Sequence, residues 1–95
     1  MSAYIISNLD VHDEAELADY VKNAPASIAR YGGKYLVRRG KVDSLEGAWS
    51  PKALVILEFP TRAQAKAWYE SAEYRALRET SFKGASRDLI LIDGV

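Results

Sequence analysis

The sequence predicts an α+β fold, a four-stranded antiparallel sheet with helices packed on one side, in the order βαββαβ. Three observations carry this. Short β-branched apolar runs recur four times, stretches with helical apolar spacing lie between them, and each helical stretch opens on a capping residue.

"AYIISNL" (Ala3 to Leu9) is the first strand. A helix then opens at Asp13, whose carboxylate can accept from first-turn amides, with Glu16 three residues on as in a capping box. Leu17, Val21, Ala24, Ile28 and Tyr31 share one face; Pro25 is expected to kink this helix and Gly32-Gly33 to end it. "KYLVRRG" (Lys34 to Gly40) reads as the second strand, followed by a long turn-rich connection from Lys41 to Lys52. "ALVILEF" (Ala53 to Phe59) is the third strand, ended by Pro60. Thr61 with Gln64 caps "RAQAKAWYE", and Ser71 with Glu73 restarts the helix after a short break. "RDLILID" (Arg87 to Asp93) closes the order as the fourth strand. This is the signature of a single ferredoxin-like two-layer sandwich spanning residues 1–95.

In a lone sandwich one sheet face meets water, so its strands should alternate apolar and polar residues. These do not. Val55, Leu57 and Phe59 oppose Leu54 and Ile56; Leu89 and Leu91 oppose Ile90 and Ile92; Tyr4 and Ile6 oppose Ile5 and Leu9. Helices cover only one face, so a second copy packed sheet to sheet is expected on the other, making the chain a homodimer. Leu54 and Ile56 are the candidate interface residues, together with Trp49, a large ring on the long connection suited to anchoring a partner.

The composition narrows the chemistry. A chain of 95 residues with zero formal net charge and scattered basic residues offers no footprint for nucleic acid or an anionic membrane surface. The absence of cysteine removes disulfides and thiolate chemistry, and one histidine, His12, does not build a typical metal site; no metal or other cofactor is expected. No apolar run spans a bilayer and the start has no signal-peptide character, so a cytoplasmic protein is expected. RNA-binding modules of the same fold need paired rings on a middle strand, and neither "GKYLVRRG" nor "ALVILEFP" has them.

The ordered set "RYGGKYLVRRG", "LEGAW", "LEFPTRAQAKAWYESAEYRALR" and "LIDG" resembles the family catalogued as domain of unknown function 1330, within the dimeric α/β-barrel superfamily. The resemblance rests on Gly32, Gly33, Arg38, Glu46, Gly47, Trp49, Glu58, Phe59, Pro60, Trp68, Tyr69, Ser71, Tyr74 and Arg78. It implies the ferredoxin-like fold and a sheet-to-sheet dimer, and no particular reaction. Cofactor-independent monooxygenases, isomerases and stress-related proteins share the superfamily, so it also implies a small-molecule cavity.

The ligand-binding candidates are Arg38, Glu58, Trp68, Tyr69, Tyr74 and Arg78. After the restart at Ser71, Tyr74, Leu77, Arg78 and Ser81 share a helix face, so Arg78 projects beside the Tyr74 ring, where it either meets an anion or lays its stem on the face and reaches out to solvent. Trp68, flanked by Ala65 and Ala72, fills either core or pocket, and Tyr69 lies about 100° around the helix from it. Glu58 shares a strand face with Leu54 and Ile56, as a general base with a raised pKa or, more simply, as the partner of Arg38 or Arg39. Two function classes survive. One is a small-molecule protein, a ligand binder or a cofactor-independent oxygenase or isomerase; the other is a non-catalytic dimeric scaffold with a filled core.

Overall fold

A computed structural model describes residues 1–95. The elements are β1 (Ala3–Val11), α1 (Glu14–Arg30), β2 (Lys34–Arg38), β3 (Ala53–Phe59), α2 (Arg62–Glu70), α3 (Ala72–Ser81) and β4 (Ala85–Asp93). The sheet is antiparallel with strand order β2-β3-β1-β4, and the helices lie on one face of it. The chain therefore has the ferredoxin-like α+β fold, with its second helical segment divided in two.

The predicted caps hold. Asp13 Oδ1 accepts from the amides of Ala15 and Glu16 at 3.1 and 3.2 Å, and Thr61 Oγ1 accepts from Gln64 N at 3.1 Å. Ser71 serves two helices: its hydroxyl donates to Trp68 O at 2.7 Å and accepts from Tyr74 N at 3.1 Å. α1 ends in a Schellman motif, Gly33 N donating to Ile28 O and Gly32 N to Ala29 O, both at 3.0 Å, with Gly32 at φ +82°. Gly33 is required by close approach: a Cβ there would stand 2.6 Å from the Phe59 ring. α1 runs through Pro25 to Arg30; proline removes one amide donor, and the packed face of Leu17, Ala24 and Ile28 keeps the helix in place.

Two strands run further than predicted. Asp10 and Val11 pair with Ser86 and Ala85, extending β1 and β4 together. β2 is shorter, and between Tyr35 and Val37 its register slips by one residue against β3, a bulge that leaves Leu36 unpaired. The helix-facing side of the sheet carries Ile5, Leu57 and Phe59, which join Ile28, Ala65, Trp68 and Tyr74 in the buried core. On the outer side Val37, Ile56, Ile6 and Ile90 stand side by side across all four strands, and in the single chain Ile90 and Ile92 are about half exposed, at 56 and 49%.

Candidate functional site

Beneath α1 the two layers do not close. α1 packs chiefly on α3 and barely touches β2, leaving a cavity of about 290 Å³ between α1 and the helix-facing side of the sheet. Ten of its thirteen lining residues are hydrophobic, so an occupant would be mainly apolar; Tyr20, Ile28, Tyr35, Leu57, Trp68 and Leu89 form most of the wall. Arg38 and Arg39 are the charged residues of the lining, which contains no carboxylate and no imidazole.

A break in strand alternation places Arg38 here. The bulge in β2 sets Arg38 opposite Val55, on the helix-facing side, and its guanidinium carbon lies 3.8 Å above the Tyr35 ring. Arg39, at φ +55°, donates from Nη1 to Glu14 Oε1 at 2.7 Å and so ties the end of β2 to the first turn of α1. Burial raises the Tyr35 hydroxyl pKa, and burial followed by the neighbouring Tyr74 raises that of Tyr20, so both phenols stay neutral donors at ordinary pH.

Trp68 is core and cavity wall at once. It is fully buried, its indole Nε1 donates to Ser27 Oγ at 3.1 Å, and Ser27 in turn donates to Ala24 O at 2.8 Å. Its ring lies 4.0 Å from Tyr74 and 5.6 Å from Phe59, measured between centroids. Tyr74 is wholly buried behind it, its hydroxyl 2.8 Å from that of Tyr20. Tyr69 and Arg78 stand away from this cavity, in a separate recess of about 260 Å³ against β4. The sequence grouped Trp68, Tyr74 and Arg78 around one interior; the helix break instead directs Arg78 to the far side of the ring stack.

Glu58 belongs to neither recess. It lies on the outer sheet face, accepting from Tyr4 Oη at 3.2 Å and pairing with Lys34 Nζ at 3.3 Å. The Lys34 contact is the main cause holding its carboxyl below the usual range, which overturns the reading of a general base with a raised pKa. Its partner is Lys34 rather than Arg38 or Arg39, because the pairing sets Lys34 directly across from Glu58. Leu54 and Ile56 share that outer face, and Trp49, 66% exposed, borders a shallow recess at its end beside Asn8 and Asp88.

Two residues with polar roles were not singled out from the sequence. Ser27 anchors the indole, and Arg87 on β4 donates from Nη1 to Tyr74 Oη at 3.2 Å and from Nη2 to Ser81 Oγ. Alternation with Leu89 and Leu91 already puts Arg87 on the helix-facing side, and that was the available signal.

The chain belongs to the family described as domain of unknown function (DUF1330), whose model matches residues 2–95. No curated protein matches it in sequence. Among solved structures it is similar to a protein of unknown function from Rhodopseudomonas palustris, at 16% identity and TM-score 0.77, over 99% of this chain and 82% of that one. It is also similar to SnoaB, a cofactor-independent oxygenase from Streptomyces nogalater, at 10% identity and TM-score 0.66, over 99 and 93% of the two chains. A third similar structure is a putative antibiotic biosynthesis monooxygenase from Nitrosomonas europaea, at 17% identity and TM-score 0.58, covering 99 and 90%. At these identities the likeness is one of fold.

Proposed function

We propose that this family member is a homodimer that binds a small, flat, mainly apolar organic molecule beneath α1, with the polar or anionic end of the molecule at Arg38. The observation that carries this is the unfilled interior. Folded domains pack to near-crystalline density, and the gap of about 290 Å³ comes just short of the range of ligand pockets, roughly 300–1,000 Å³, which suits a small guest. Its aromatic walls favour a planar body, and the Arg38 guanidinium stacked on Tyr35 supplies the one fixed charge not already paired, since Arg39 is engaged with Glu14.

The fold likeness to SnoaB favours a second, more specific reading, oxygenation without a cofactor. In that case the substrate must ionise through its own acidity, its anion held at Arg38, because the wall carries no carboxylate or imidazole to accept a proton. Filling the gap tests the binding on which both readings rest. 1-Naphthol, titrated by calorimetry, is expected to bind saturably to the native chain and not to Val55→Phe, with the variant retaining its fold by circular dichroism. Absence of saturable binding to the native chain leaves the scaffold reading.

The dimer rests on the outer sheet face, where the row Val37, Ile56, Ile6 and Ile90 offers an apolar surface that a two-fold axis makes self-complementary. Trp49 borders the same face. Ile56→Asp should sediment as a single chain or precipitate. An unchanged dimer would assign the interface elsewhere.

A further inference from the structure

We propose a second ligand site, an oxyanion pocket at the free edge of β4, built by Arg78 and Arg87 and fitted to the carboxylate of a small aromatic acid. The recess of about 260 Å³ is lined by Tyr69, Arg78, Phe82, Arg87, Asp88 and Leu89. Two guanidinium groups enter it from different elements, Arg78 from α3 and Arg87 from β4. Neither has an acidic partner. Arg78 makes no side-chain hydrogen bond or ion pair; its guanidinium carbon lies 4.4 Å above the Tyr69 ring, and its Nη1 is closed off from solvent without an acceptor. Arg87 donates only to the neutral hydroxyls of Tyr74 and Ser81, and its Nε is likewise buried without an acceptor. By contrast Arg30, Arg39 and Arg62 each hold a carboxylate.

Two half-buried cations in one recess repel each other, and their orphaned donors cost free energy unless an acceptor arrives. A planar carboxylate matches the guanidinium fork, and the Tyr69 and Phe82 rings with Leu89 supply an apolar wall for a flat body. The charge environment selects a monoanion over a phosphate dianion. Arg78 and Phe82 lie at the C-terminal end of α3, where the helix dipole is negative, and the Asp88 carboxylate borders the recess.

The test is calorimetric titration of the native chain with benzoate, with inorganic phosphate as the competing arm. Benzoate should bind saturably and more tightly than phosphate, and Arg78→Gln should weaken it at least tenfold while moving the unfolding midpoint only slightly, since Arg78 holds no hydrogen-bond or ionic partner and only stacks on the Tyr69 ring. Arg87→Gln should weaken it too; because Arg87 also ties Tyr74 to Ser81, the Arg78 variant is the deciding one. Val55→Phe, which fills the cavity beneath α1, should leave benzoate binding intact. Four results overturn the proposal: no benzoate binding, equal binding by Arg78→Gln, tighter binding of phosphate, or loss of binding in Val55→Phe. A fifth is weaker self-association of Arg78→Gln in sedimentation, which would make the missing carboxylate one from a second copy.

Discussion

The sheet is covered differently by its two helical partners. Against α2 and α3, Phe59, Trp68 and Tyr74 form a closed ring cluster with almost no exposed surface. Against α1, half-buried Tyr20 and Tyr35 border open space, and Val21 is 46% exposed. One half of the interior supplies stability and the other is available for a guest. The difference comes from volume: α2 and α3 bring two large rings to the sheet, whereas α1 brings Leu17, Ala24, Ser27 and Ile28 to its buried side.

Substitutions in the two halves should therefore differ in cost. The largest effect is expected from Trp68→Ala, which opens the closed cluster and should cost about 3–5 kcal/mol in urea unfolding. A loss below about 1 kcal/mol would mean that the ring cluster is not the stable half. Next is Ser27→Ala, which leaves the buried indole N–H without an acceptor and should cost about 1–3 kcal/mol by the same measurement. On the open side, Val21→Ala should change stability by no more than about 0.5 kcal/mol, as for other partly exposed positions; a larger loss would close the gap between the two halves.

The smallest effect is that of pH. Hydrogen bonding by Arg30 lowers the Glu73 pKa, and Lys34 does the same to Glu58, each from an ordinary value of 4.5. A carboxyl with a depressed native pKa stabilises the fold fully above its unfolded pKa and loses that contribution as pH falls through the native value. The unfolding midpoint should thus decline below pH 4.5, and Glu73→Gln with Glu58→Gln should flatten that decline. Arg30 and Lys34 are largely exposed to solvent, which screens both pairs, so the change is expected to be slight.

Local signals in the sequence carried far. Asp13, Thr61 and Ser71 each act on amides two or three residues away, so spacing alone located the helix starts and the break between α2 and α3. Apolar alternation assigned both sheet faces. What depended on register was not legible. The register of β2 sets Lys34 opposite Glu58, and the bulge at Leu36 turns Arg38, four positions on, to the opposite face across from Val55. The polar ends of β1 and β4 are strands only because they pair with each other, as Asp10 with Ser86. The separation of Arg78 from the cavity beneath α1 depends on how far the chain turns at Ser71, a rotation that the capping pattern does not state.

That turn has a geometric corollary. Trp68 and Tyr74 are six positions apart, and on an uninterrupted helix they would point about 120° away from one another around the axis, too far for their rings to stack. A single hydroxyl, closing one helix while opening the next, resets the winding so that both indole and phenol enter the same layer. Adding or deleting one residue at the junction would swing the phenol through about 100°, whereas the long connection between β2 and β3 can vary in length without disturbing any ring of the buried core.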